Sequence, residues 1–197
     1  MTHVWGLFTE PRQAWARIRD RNWTIAELYL RVVMPLALIS PVSGLIGTTQ
    51  VGWQIANEEP VKLTFSSALQ ISVVYYGAIL VAVFVIGALI RWMGETYGAN
   101  QSLARCIALA VYTCTPLFLI GFFQMYPVLW LNFMVGLPAL AYTVYLLYSG
   151  VPIMMEIPPE RGFLFSSAVL AVGLVALVGL LVTTVVLWSF GLGPAFT

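Results

Sequence analysis

The sequence predicts an all-α membrane protein, a five-transmembrane-helix bundle with a short N-terminal amphipathic interfacial helix. Three observations predict it. Of 197 residues, 60% are hydrophobic and 9% charged, whereas a soluble domain carries about 25% charged residues. Mean hydropathy is +0.91. Five apolar runs, at residues 28–48, 68–92, 103–124, 128–148 and 163–190, reach the length of about 20 residues that a membrane crossing needs. The chain divides into a polar segment at 1–27 and a membrane domain at 28–197. No short apolar run ahead of a cleavage site opens it, so no signal peptide is expected.

The N-terminal segment reads as a helix from Pro11, capped by Thr9 or Glu10. Ala14, Trp15 and Ile18 share a face with Pro11, while Arg12, Arg17, Arg19, Asp20 and Arg21 cover the flanks and back. Tryptophan beside arginine is what a membrane interface selects. Trp15, Ile18, Arg12, Arg17, Arg19 and Arg21 are therefore the candidate contacts to anionic lipid headgroups.

The first run holds Pro35 and Pro41, and Glu27 precedes Arg31 by one helical turn. Arg31 and Arg91 lie at the ends of runs, where a long side chain reaches water. Cys106 and Cys114 in the third run are eight positions apart, about 12 Å along a helix. That is too far for a disulfide. The fourth run is expected to end at Gly150 and Pro152, because glycine caps helices and proline cannot continue one. A stiff connector through Ile157-Pro158-Pro159 follows. It carries Met154, Met155, Glu156 and Arg161, an apolar patch beside charges and the candidate partner-binding surface. In the fifth run, Ala168, Ala171, Ala176 and Gly179 are spaced for close helix packing within a copy or in a homo-oligomer.

Basic residues set the orientation. Arg12, Arg17, Arg19, Arg21, Arg31, Arg91, Arg105 and Arg161 fall on one side, and of the nine basic residues Lys62 alone falls on the other. The N-terminus is expected in the cytoplasm and, after five crossings, the C-terminus outside. Trp23, Trp53, Trp92, Trp130 and Trp188 sit near run ends, as an aromatic belt requires.

Several function classes are disfavoured. The one histidine, His3, stands near the N-terminus, so a histidine-based triad or zinc site within the membrane is excluded. A net charge of +1 argues against nucleic acid. Glu58 and Glu59 read as a solvated loop. Glu95, Glu156 and Glu160 scatter among arginines, where weak surface ion pairs are the simpler reading. No enzymatic activity, metal or cofactor is expected. Binding to a protein or lipid at the cytoplasmic face is expected instead, as a membrane scaffold or adaptor. The alternative is a small transporter or channel along kinked helices. Its path would use Pro35, Pro41, Pro116 and Pro138 with Thr115 and Tyr142, since broken helices expose carbonyls at mid-membrane.

Three stretches, "TEPRQAWARI", "AVYTCTPLFLIGF" and "YTVYLLYSGVPIMMEIPPERGF", resemble in order and spacing the bacterial branch of the Yip family (Ypt/Rab-interacting proteins). The likeness covers nearly the whole chain. It implies five helical spans, a cytoplasmic N-terminus and, for a bacterial member, the inner membrane with a periplasmic C-terminus. Eukaryotic members bind Rab-type GTPases and one another. Their Asp-Leu-Tyr-Gly-Pro signature is Glu27-Leu-Tyr-Leu-Arg31 in this chain, so the resemblance implies the fold and not a GTPase partner.

Overall fold

The computed structural model describes residues 2–53 and 60–187, with side chains throughout except at 2–4, 176–177, 180–181, 183–185 and 187. Glu58, Glu59, Trp188, the end of the fifth run and the C-terminus lie outside the described residues, as do the side chains of His3 and Ala176.

Two short helices precede the membrane domain: α1 at Thr2–Thr9 and α2 at Pro11–Asp20. Pro11 at the head of α2 has its φ preset and no N–H to leave unpaired. A reversal at Arg21–Trp23 leads to Thr24, whose hydroxyl accepts the Glu27 amide at 3.2 Å and caps α3, Ile25–Val51. This helix carries Pro35 and Pro41 without breaking. Immediately before Pro35 it widens into a π turn at Tyr29–Val33, which relieves the clash a proline ring makes with the carbonyl four residues back. Gly52, at φ 93°, ends α3 in a conformation open to glycine. The chain then returns through paired bonds between Trp53 and Val61, 2.7 and 3.0 Å.

Helix α4, Phe65–Thr96, has 32 residues, about 48 Å at 1.5 Å per residue. It ends in a Schellman motif: Gly98 has φ 73°, the Ala99 amide donates to Gly94 at 2.8 Å and the Gly98 amide to Glu95 at 3.4 Å. Ser102 then caps α5, Leu103–Thr113, by accepting the Arg105 amide at 3.3 Å. The chain bends by 47° at Cys114 into α6, Thr115–Met125. Pro116 has no N–H for the preceding turn, and the Thr115 hydroxyl donates to the Val111 carbonyl at 3.3 Å.

Helix α7, Leu129–Met155, does not stop at Gly150 or Pro152 as the sequence suggested. It absorbs both and ends at Glu156, which takes the left-handed conformation (φ 56°, ψ 44°). The connector is thus reduced to Glu156–Pro158 before α8, Pro159–Leu187. Gly162 of α8 lies against the Pro152 ring, 2.6 Å from where its own β-carbon would stand. The two helices are therefore in close contact at the residue expected to break one of them.

Among the described residues, α3, α4 and α7 are each long and apolar enough to cross a membrane, and α5 with α6 make a fourth if the bent pair is one crossing. Helix α8 adds 29 helical residues. At the centre lies α5: every residue from Cys106 to Thr113 is buried. It packs against α4, α7 and the start of α3. A short helix buried all round holds no lipid-facing stripe, which makes α5 the core of the bundle. Outward-facing Val73, Val74, Val81, Phe133, Met134 and Leu137 on α4 and α7 are exposed, the apolar surface a bilayer covers.

Candidate functional site

The start of α3, the α4–α5 turn and the α7–α8 turn meet at one end of the bundle. The α1–α2 hairpin docks there on α7. The face of α2 formed by Ala14, Trp15 and Ile18 is completely or almost completely enclosed by protein. Trp15 lies flat on Gly150, its ring 2.6 Å from where a β-carbon at that residue would be. Higher on the hairpin, the Tyr142 hydroxyl donates to the Leu7 carbonyl at 2.8 Å and its ring stacks on Phe8 at 5.3 Å.

This corrects the expected lipid contact of Trp15 and Ile18. The apolar stripe expected to lie on lipid headgroups is instead covered by α7. Arg12 and Arg17 remain exposed, the latter reaching across Gly6. Arg19 and Arg21 turn toward the bundle. The outward apolar residues of the hairpin are on α1: Trp5 is 75% exposed and Phe8 39%.

A second correction concerns the connector. Met154 and Met155 are fully buried, core rather than patch. Glu156 is half exposed and paired with Arg105 at 3.2 Å, with Arg19 at 4.0 Å. Arg161 is exposed beside the Gly98 turn. The four prolines differ in burial. Pro35 and Pro138 face outward, Pro41 and Pro116 inward. Thr115 is consumed by its own helix and Tyr142 by the hairpin.

What the fold does assemble is a cleft of about 90 Å³ between α2, the approach to α3 and the first turn of α5. Arg19, Arg21 and Arg105 line it, with Asn22, Trp23 and Ser102, over a floor that includes Ile18 and Met154. Among the described residues no acidic side chain lines it. The acids stand around it. Asp20 pairs with Arg19 at 2.8 Å, and Glu27 with Arg21 at 2.9 Å and Arg31 at 3.0 Å. Asp20 first, and Glu156 more weakly, raise the pKa of Arg19 above its ordinary value. The Arg21 guanidinium lies 3.9 Å above the Trp23 ring, a cation–π contact. Arg105 also donates to Gln101 at 2.6 Å, and Gln101 to the Met155 carbonyl at 3.1 Å. That chain ties the α4–α5 turn to the end of α7. A wider, open cleft of about 370 Å³ adjoins at Ser102, bordered by Arg91, Glu95 and Gln101.

The sequence places Arg19, Arg21, Arg105 and Glu156 on one side of the membrane, but it does not single out Trp23, Gln101 or Ser102 as their neighbours. The one local signal was the serine three residues before Arg105, a cap pattern that fixes where the arginine points.

The family model described as Yip1 domain matches residues 5–193. The chain is 43% identical over 191 residues to "Inner membrane protein YohC" of Escherichia coli strain K12, covering 97% of this chain and 98% of that one. The protein of the same name from Escherichia coli O6:H1 matches equally. No solved structure matches.

Proposed function

The chain belongs to the Yip1 domain family, and from that premise we propose that it is a multi-pass inner-membrane protein that acts by binding. It is a scaffold or adaptor without enzymatic activity. Its working face is the end that carries the hairpin, the arginine cleft and the α7–α8 turn. The name of its Escherichia coli relatives and the apolar helices support the inner membrane. With α8 counted as a fifth crossing, the basic bias puts the hairpin in the cytoplasm and the C-terminus in the periplasm.

One observation carries the reading: an ion-paired polar cluster stands at one end of the bundle and is built from parts far apart in sequence. Arg19, Gln101, Arg105 and Glu156 join three connections there. Such an arrangement makes a defined surface, with Arg12, Glu160 and Arg161 exposed around it. A partner protein docking on this face, or a second copy, is the expected occupant.

The test is a photo-crosslinking residue placed at Arg12 or Glu160, with the lipid-facing Leu137 as control. A discrete protein adduct from the first two positions and none from the third supports the adaptor. Adducts at Leu137 alone, or none at any position, overturn it. Transport is the second reading, favoured by the break at Cys114 beside the enclosed, unpartnered hydroxyl of Thr113. Solute flux into vesicles that Pro116→Ala abolishes would establish it.

A further inference from the structure

We propose that the cleft between Arg19, Arg21 and Arg105 binds the phosphate of one anionic lipid headgroup, and that Glu156 is the internal anion with which that phosphate competes. The proposal rests on placing this end at the membrane surface, as above, but not on any protein partner.

Four observations lead to it. First, three guanidinium groups from separate segments converge on a space that, among the described residues, no carboxylate lines. Each of the three already holds a carboxylate outside the cleft, and a planar guanidinium fork has further donors that match phosphate oxygens. Arg105 meets both Gln101 and Glu156 through Nη1, at 2.6 and 3.2 Å.

Second, Ser102 and Arg105 belong to the first turn of α5, an 11-residue helix. The Arg105 amide is capped by the Ser102 hydroxyl at 3.3 Å, and the positive N-terminal end of the helix dipole stands beside the cleft. Third, Trp23 lines the cleft and its indole Nε1 is enclosed without a hydrogen-bond partner. An enclosed donor without an acceptor is uncommon and unfavourable, and a turn of the indole toward the cleft would offer it to a phosphate oxygen.

Fourth, size and position select the ligand. Whole small molecules occupy sites of about 300–1,000 Å³, and this cleft of about 90 Å³ has room for a headgroup phosphate rather than a nucleotide. Trp23 directly precedes the cap of α3, the first helix long enough to cross. Trp92, 69% exposed, and Arg91 lie on the last turns of α4 at the same end. Tryptophan with arginine at helix ends marks headgroup level. A phosphate held there is therefore presented by a lipid whose tails run down the bundle.

Glu156 gives the site a second state. Its carboxylate now spans Arg105 and Arg19 from outside the cleft. An incoming phosphate draws on the same guanidinium groups, so the bound lipid loosens the α7–α8 turn from the α5 start.

The protein is reconstituted in phosphatidylcholine nanodiscs doped with phosphatidylglycerol, and lipids retained after gas-phase release are counted by native mass spectrometry. One phosphatidylglycerol should remain on the wild type. Arg105→Gln should lower its retention about tenfold, the scale of one charge-assisted contact, and Glu156→Gln should raise it. The opposite sign of the two variants separates ligand binding from loss of fold. Retention unaffected by either substitution overturns the site. If 10 mM-scale inorganic phosphate, on the order of a very weak ligand's Kd, removes the lipid completely from the wild type, the ligand is free phosphate and the lipid assignment fails. Loss of the Arg12 and Glu160 crosslinks with lipid retention intact would reject the adaptor and leave this site standing.

Discussion

Gly150 has no side chain because the indole of Trp15 occupies that space, 2.6 Å from where a β-carbon would project. A left-handed backbone conformation is not the reason, since Gly150 sits inside the continuous helix α7. The contact couples a helix at the start of the chain to one near its end, and it decides whether the hairpin is docked.

Gly150→Ala should therefore release α2. Overpacking of this kind costs about 1–3 kcal/mol. Trp15→Ala removes the anchor instead, at about 3–5 kcal/mol. Hydrogen exchange across Pro11–Asp20 should speed up by the corresponding factor in both variants, with the core helix Leu103–Thr113 unchanged.

Tyr142→Phe deletes the hydroxyl that donates to Leu7 and leaves the ring stacked on Phe8. A single bond of this type contributes about 0.5–1.5 kcal/mol. Exchange at Thr2–Thr9 should rise by roughly three- to tenfold on that scale, while α2 keeps its protection. Equal loosening of both helices would mean that the hairpin moves as one body.

Glu156 ends α7 in a left-handed conformation that glycine adopts without penalty. Glu156→Ala loses the ion pairs and keeps the strain, whereas Glu156→Gly loses both. The glycine variant should be more stable than the alanine variant by about 1 kcal/mol, read as the higher detergent melting temperature.

Gly87 and Gly77 lie on the same helix, α4, and should behave oppositely. A β-carbon at Gly87 would sit 2.5 Å from the Ile107 side chain and 2.9 Å from its α-carbon, so α5 itself must move. At Gly77 nothing lies within 4 Å. Gly87→Ala should lower stability by about 1–3 kcal/mol; Gly77→Ala should raise it by about 0.5–1 kcal/mol through helix propensity. A thermal shift comparison in one detergent checks both.

The helical runs were legible because bilayer thickness writes itself into sequence as runs of about 20 apolar residues. The structure extends three of them, to Ile25–Val51, Phe65–Thr96 and Leu129–Met155. The bend at Cys114 fits the neighbouring Pro116. Pro152 misled because a proline inside an apolar helix can be carried through when neighbours pack around it, and here Gly162 does so. Trp15 and Ile18 misled for another reason. An apolar stripe records that a face is buried, not whether lipid or protein buries it. Helix α1 escaped notice because eight residues with Trp5, Leu7 and Phe8 close together show no clear period. The cleft was hidden by distance along the chain: Arg105 was visible as a charge that sets orientation, but nothing local in sequence brings it to Arg19.

Leu7 and Tyr142 are 135 residues apart. Synthesis at about 5–20 residues per second puts the making of Tyr142 roughly 7–27 s after that of Leu7 across those 135 residues. Throughout that interval the ribosome has delivered a complete hairpin whose dock has not been made. Its stripe of Leu7, Trp15 and Ile18, enclosed by protein in the finished fold, is made well before the helix that covers it, so the order of synthesis sets a delay between making this face and burying it.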